Sequence, residues 1–93
     1  MGRDISVNSK HFCFCGSKSS DLIILFDGYF IDKLHMPSLL SYERQISRKQ
    51  TKELLDYLVE NKDIFKNYND LYDKINNIYI RMMPKDVIDI HVW

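Results

Sequence analysis

The segment HFCFCG holds both cysteines of the chain and one of its three histidines. If it forms a strand, His11, Cys13 and Cys15 project from one face, with successive Cα atoms of this set about 6.5–7 Å apart. Two thiols and an imidazole are zinc ligands, and His35 or His91 could complete a tetrahedral site. However, structural zinc sites take cysteines from C-x₂₋₄-C turns, and redox pairs need C-x-x-C at a helix start. We therefore expect neither a metal nor a redox site, and we interpret both cysteines as small buried residues at an edge of the core.

A second candidate for chemistry is the pair Asp89 and His91, which share one face of a predicted strand and have the residue types of a general acid–base pair. The sequence contains no nucleophile motif and no carboxylate–histidine metal motif. Its three glycines give little material for a phosphate-binding loop. A small nuclease-like hydrolase is therefore the third of three hypotheses, and we expect no enzyme activity, no catalytic residue and no cofactor.

Arg44, Arg48, Lys49 and Lys52 concentrate positive charge around the predicted start of a long helix. Cations are disfavoured at a helix N-terminus, and like charges four residues apart cost about a few tenths of a kcal/mol. A locally unfavourable arrangement indicates a use, such as binding a phosphate group. The second hypothesis is thus a small nucleic-acid-binding regulator. Against it, the formal net charge is zero, with 13 basic and 13 acidic side chains, whereas such domains are usually basic.

Acidic side chains and tyrosines concentrate between residues 53 and 73, where six acidic residues stand against two lysines. Tyrosines anchor protein interfaces, and carboxylates accelerate association with a basic protein. The first hypothesis is therefore a small protein-binding inhibitor, of the kind found among immunity proteins of toxin systems and phage inhibitors. Its expected partner is a basic protein, such as a nuclease toxin or a host enzyme. The predicted partner-binding residues are Asp56, Glu60, Asp63, Tyr68, Asp70, Tyr72 and Asp73.

Length and composition predict one domain over residues 1–93, since 45% apolar and 13% aromatic residues suffice for a core. The apolar run LIILF is far shorter than the roughly 18–20 residues that cross a membrane, and the N-terminus lacks a signal-peptide pattern. We therefore expect a cytoplasmic protein without a membrane partner. The chain has no alanine but many Ile, Lys and Asn residues, which indicates an AT-rich coding sequence, as in phages and mobile elements.

The first third of the chain predicts strands. DISVNS and HFCFC alternate side chains between two faces, as half-buried strands do. LIILFDGYFID places Asp27-Gly28, which favours a type I′ turn, between two runs rich in β-forming residues. This pattern predicts a hairpin with strands at about residues 22–26 and 29–33.

The middle of the chain predicts helices. Pro37 suits a first helical turn, which favours a short helix in PSLLSYERQ. Ser47 and Gln50 form a capping box that opens a helix over residues 48–61. A second helix extends from an Asn cap at 67 or 69 to Met82, where Pro84 prevents its continuation. The predicted apolar faces are Leu54, Leu55, Leu58 and Val59 on one helix, and Leu71, Ile75, Ile78 and Met82 on the other.

Alternation in DVIDIHVW predicts a closing strand at residues 87–92. The predicted fold class is therefore α+β: a small antiparallel or mixed sheet of N-terminal strands and a C-terminal strand, with two to three helices on one face. Because the last strand must pass over the helices to join the sheet, we expect a right-handed crossover to a parallel neighbour.

Overall fold

The computed structural model describes residues 4–17, 20–36 and 42–93, and the elements within these ranges confirm the α+β class. They form a four-stranded antiparallel sheet and three α-helices. In chain order the elements are β1 (Asp4–Asn8), β2 (Cys13–Ser17), α1 (Ser20–Asp32), β3 (Tyr42–Ser47), α2 (Arg48–Glu60), a 3₁₀ turn (Lys62–Ile64), α3 (Tyr68–Arg81) and β4 (Val87–Val92).

The sheet order is β2-β1-β4-β3, so the predicted closing strand lies in the interior of the sheet. Strand β4 is antiparallel to both of its neighbours, and the expected parallel neighbour with a right-handed crossover is therefore wrong. The reason is that two helices, not one, connect β3 to β4. Helix α2 leads away from the end of β3 and α3 returns, so that Val87 at the start of β4 lies opposite Ser47 at the end of β3.

Helix α1 occupies the segment predicted to be a β-hairpin, so the strands at 22–26 and 29–33 and their turn are wrong. Asp27-Gly28 lies in mid-helix, and the φ angle of the glycine is not positive. Gly28 instead permits a close approach between helices, because a Cβ there would overlap the hydroxyl of Tyr57 on α2. The buried side chains recur at helical spacing, as Leu22, Leu25, Phe26, Tyr29 and Phe30.

The predicted short helix in PSLLSYERQ is wrong where the structure describes it. Residues 37–41 lie outside the described ranges, and from Tyr42 the chain forms strand β3. Ile46 is buried on this strand and lies opposite Ile88 of β4. Pairing with β4 gives this largely polar segment a ladder of backbone hydrogen bonds, which its own side-chain pattern does not indicate.

Helices α2 and α3 confirm the two longer helix predictions. The Ser47 hydroxyl accepts from the Gln50 amide nitrogen, and the Gln50 side chain accepts from the Ser47 nitrogen, which completes the capping box. Every residue of the two predicted apolar faces is buried except Val59, which is 46% exposed. Within the described ranges, no helix is long and apolar enough to cross a membrane.

The helices cover one face of the sheet. Alternate strand residues point toward them and are buried: Ile5, Val7, Ile46, Ile88, Ile90 and Val92. The residues between them point to the other face, which no described element covers, and they are polar: Ser6, Asn8, Glu43, Gln45, Asp89 and His91.

Candidate functional site

The cysteine-containing segment contributes to the core through its phenylalanines. Phe12 and Phe14 are partly buried against the core, and the Lys74 ammonium lies 4.8 Å from the Phe14 ring centroid. Cys13 is exposed as a free thiol, and the side chain of Cys15 lies outside what the structure describes. The prediction of buried cysteines is therefore wrong for Cys13, because alternation along β2 turns it away from the helices.

The histidines lie in three separate places. His91 Nε2 is 3.6 Å from Glu43 Oε1 on the uncovered face of the sheet, and Asp89 shares that face. His11 Nε2 is 3.9 Å from Asp86 Oδ2, and His35 is exposed in the segment after α1. Among the described residues, no three His, Cys, Asp or Glu side chains lie close enough together to hold a metal ion.

The predicted basic cluster divides into two parts. Arg48, Lys49 and Lys52 line a concavity of about 470 Å³, which Arg44 on β3 does not line. The Arg48 guanidinium donates to the Met82 carbonyl at 3.1 Å and lies 4.5 Å from the centroid of the Tyr79 ring. Tertiary contacts therefore explain why this cation is tolerated at a helix N-terminus, and Arg48 serves as a link between α2 and the end of α3.

Two tyrosines form hydrogen bonds between α1 and α2. The Tyr29 hydroxyl donates to Glu53 Oε1 at 3.0 Å, and the Tyr57 hydroxyl donates to Asp32 Oδ2 at 2.9 Å. Burial raises the pKa of both phenols, and the carboxylate that accepts each hydrogen bond raises it further, to about 12 for Tyr57. These paired bonds fix the position of the α2 surface relative to α1.

Helices α2 and α3 form an antiparallel hairpin. Arg48 at the start of α2 contacts Tyr79 near the end of α3, and only residues 61–67 separate the two helices. Val59 follows Arg48 by eleven residues along α2, and Tyr68 precedes Tyr79 by eleven residues along α3. Since both helices rise about 1.5 Å per residue, Val59 and Tyr68 lie at the same level, at the closed end of the hairpin.

Apolar and aromatic side chains concentrate at that closed end. Val59 is 46% exposed and Ile64 in the 3₁₀ turn is 56% exposed. Tyr68 and Tyr72 pack together with ring centroids 5.9 Å apart and are half-buried rather than fully exposed. We name these four residues, together with the flanking carboxylates of Asp56, Asp63 and Asp73, the hairpin-end surface.

Of the predicted partner-binding residues, Tyr68 and Tyr72 are in contact with each other, whereas two of the acidic residues point elsewhere. Glu60 points toward the end of α1, where its Oε2 is 3.6 Å from Lys33 Nζ. Asp70 bonds to Lys74, which covers Phe14 on the opposite flank of α3 from Tyr72. Asp63 and Asp73 are exposed, and neither has an ion-pair partner within the described residues, whereas Asp56 pairs with Lys52 at 3.2 Å.

Sequence reasoning missed Val59 and Ile64 as surface residues. Val59 follows Leu58 directly, so it lies about 100° around the helix from the most buried position. Ile64 falls in a three-residue turn that no periodic pattern covers. The rotation of 100° between successive helical residues is the signal that could have placed Val59 on the α3 side of the helix rather than on the side that faces the sheet.

Comparison of the chain with known protein families, with curated proteins and with solved structures finds no match.

Proposed function

We propose that the protein is a binding module that neutralises a basic partner protein through the hairpin-end surface. The observation that carries this proposal is an exposed apolar and tyrosine-containing centre flanked by carboxylates. Protein interfaces combine a desolvated aromatic and aliphatic centre with a polar rim in this way. A partner of the same kind as a nuclease toxin or a basic host enzyme would present the complementary charge.

The centre and the rim would contribute differently to binding. Val59, Ile64 and the exposed edges of Tyr68 and Tyr72 would lose apolar contact with water, which favours the complex by about 25 cal/mol per Å². The carboxylates of Asp63 and Asp73 would raise the association rate, and this contribution falls as salt increases. A mutation in the centre should therefore accelerate dissociation, while a mutation in the rim should slow association.

The test is capture from a lysate of the native host with matched variants. Val59→Asn removes an apolar side chain from the centre, and Ile80→Asn removes one from α3 that is 60% exposed outside this surface. We expect a stoichiometric basic protein to be captured by the wild type and by Ile80→Asn, released by salt, and captured at least tenfold less by Val59→Asn. Quantitative mass spectrometry measures the captured protein, and equal capture by both variants would contradict the proposal.

A nucleic-acid-binding regulator is the second candidate, because Arg48, Lys49 and Lys52 surround one concavity. Lys49 and Lys52 are exposed, so phosphate groups can reach them. In the same capture experiment, nucleic acid would raise the ratio of absorbance at 260 and 280 nm. Loss of that signal in a Lys49→Gln, Lys52→Gln variant, with no effect of Val59→Asn, would favour this candidate over protein binding.

A further inference from the structure

The uncovered face of the sheet is organised in rows that cross the strands. Residues opposite each other in the register point to the same face, so Ser6, His91 and Glu43 form one row. Asn8, Asp89 and Gln45 form the next row. Together they surround a concavity of about 560 Å³, and we name this surface the open face.

An aromatic side chain borders the open face at the end of β4. Backbone hydrogen bonds in both directions between Asp4 and Trp93 extend the β1–β4 ladder by one pair. Trp93 therefore lies on the same face of the sheet as Asp89 and His91, and its ring centroid is 4.8 Å from that of His91. Trp93 is 47% exposed, and an exposed indole is the preferred aromatic partner of a cation.

The charge of the open face is negative. Asp4, Glu43 and Asp89 occupy outward positions, and among the described outward strand residues there is no lysine or arginine. Arg44 also lines the concavity, although it comes from an inward position of the edge strand. Its guanidinium donates to the Glu43 carbonyl at 2.7 Å and to Met36 Sδ at 3.2 Å. Among the residues that line the concavity, the two carboxylates of Glu43 and Asp89 against one guanidinium leave a net charge of −1.

The two carboxylates beside the concavity each contact a neighbouring side chain through one oxygen. Asp89 Oδ1 accepts from Gln45 Nε2 at 2.6 Å, a bond to a neutral amide. Glu43 Oε1 lies 3.6 Å from His91 Nε2 and its side chain is 78% exposed. Both groups can therefore accept an additional cationic donor from above the sheet.

The distance between these two carboxylates indicates how far apart the cationic groups of a matching ligand should be. Glu43 lies opposite His91, two residues from Asp89, so the pair is diagonal across adjacent strands, with a spacing of about 7–8 Å. In an extended peptide, side chains at positions i and i+2 point to the same side about 6.5–7 Å apart. Two cationic side chains at alternate positions match the pair, whereas adjacent ones point to opposite sides.

We propose that the open face docks an extended basic segment of another protein, with arginine or lysine at alternate positions contacting Glu43 and Asp89 and a cation or aliphatic stem resting on Trp93. This site lies on the opposite side of the sheet from the helices and is independent of the hairpin-end surface. Failure of either proposal therefore leaves the other to be judged by its own experiment.

Trp93 makes the test direct, because it is the single tryptophan of the chain. Two synthetic peptides of identical composition are titrated at low salt: both contain two arginines among threonines, either at alternate or at adjacent positions. We expect the alternate peptide to change Trp93 fluorescence saturably and to bind at least threefold more tightly than its isomer. Calorimetry provides a second measurement of the same affinity.

The double variant Glu43→Gln, Asp89→Asn should weaken binding of the alternate peptide about tenfold, since each exposed charge pair contributes roughly two- to fivefold. The matched control is Glu60→Gln, Asp70→Asn, which makes the same change in net charge outside both the open face and the hairpin-end surface and should leave the affinity unchanged. Equal binding of both isomers, equal weakening by both double variants, or no saturable binding would overturn the proposal.

Discussion

Two phenol groups at the α1–α2 contact connect single residues to the stability of the molecule at alkaline pH. Each hydroxyl donates to a carboxylate, a bond that exists only while the phenol is protonated. The pKa of Tyr57 rises from 10.0 to about 12 on folding, and that of Tyr29 also rises, because burial and the neighbouring carboxylate disfavour the phenolate. The folded state therefore retains these protons more strongly than the unfolded chain.

The sign of the resulting pH dependence follows from this difference. The stabilisation is fully present below pH 10 and is lost as the pH rises through the folded pKa, because the unfolded chain releases its protons first. For Tyr57 the loss is on the order of 2 kcal/mol. We expect the free energy of unfolding, measured with urea at pH 8, 10 and 11.5, to fall above pH 10.

The Tyr57→Phe variant isolates this contribution. It should be about 1 kcal/mol less stable than the wild type at pH 8, because it lacks the hydrogen bond to Asp32. Its stability should then decline less steeply above pH 10, so that the difference between the two proteins narrows. A difference that stays constant or widens between pH 10 and 11.5 would show that Tyr57 titrates no later in the folded state than in the unfolded chain.

At the scale of elements, the contact between α1 and α2 depends on a residue without a side chain. A Cβ at Gly28 would overlap the Tyr57 hydroxyl and would lie 3.1 Å from Tyr57 Cζ. Overpacking of this kind costs about 1–3 kcal/mol, whereas alanine gains up to about 1 kcal/mol of helix propensity over glycine. We expect Gly28→Ala to lower the free energy of unfolding by about 1–2 kcal/mol in urea denaturation.

Removing the opposing hydroxyl provides the control for this substitution. In a Tyr57→Phe background, Gly28→Ala should cost less than half as much, since the atom that it would overlap is absent. The four proteins form a double-mutant cycle that separates steric overlap from propensity. If Gly28→Ala stabilises the protein, then steric overlap with Tyr57 does not require a glycine at this position.

Five of the regular elements could be predicted from sequence because their local signals agree with their tertiary positions. The capping box at Ser47 begins α2, the stripe from Leu71 to Met82 defines α3, and alternation identifies β1, β2 and β4. Helix α1 could not be predicted, because LIILFDGYFID is rich in β-forming residues and Asp-Gly is common in hairpin turns. The segment forms a helix because its apolar residues at helical spacing can then pack against α2, and this tertiary contact outweighs the local preference for strands.

Strand β3 and the uncovered side of the sheet depend on partners distant in sequence. Tyr42–Ser47 has little strand pattern of its own and acquires its structure from β4, forty residues later. The row of Ser6, His91 and Glu43 likewise combines three strands, so no local motif indicates it. The acids and tyrosines of the hairpin-end surface all lie within residues 56–73, so the sequence pattern points to them, but no local pattern indicates that Val59 and Ile64 are exposed.

The molecule has a net charge of zero, but its positive and negative side chains are unevenly distributed over the surface. Carboxylates flank the hairpin-end surface and line the open face, whereas Arg48, Lys49 and Lys52 line one concavity near the start of α2. Zero net charge therefore argues against general attraction to nucleic acids but not against two local acidic surfaces. The two surfaces lie on different elements, since the hairpin-end surface belongs to α2, α3 and the turn between them and the open face belongs to the outward residues of the strands.

We expect the central position of β4 to make the fold one cooperative unit. This strand pairs with β1 on one side and β3 on the other, and Ile90, which is 1% exposed, lies beside Val7 on the face that the helices cover. Truncating Ile90 to Ala leaves a cavity at the only strand that joins the two halves of the described sheet. We expect Ile90→Ala to lower the free energy of unfolding by about 2–5 kcal/mol, whereas Val87→Ala, at a position 40% exposed, should cost less than about 1 kcal/mol.

Two probes report on different parts of the molecule during this unfolding. Trp93 fluorescence follows the end of the sheet, and far-ultraviolet circular dichroism follows mainly the helices. Because the inward side chains of β4 are shared by the whole core, both signals should change at the same urea concentration in the wild type and in Ile90→Ala. Separate transitions, with the helices persisting after the Trp93 signal is lost, would mean that the α2–α3 hairpin holds together without the sheet.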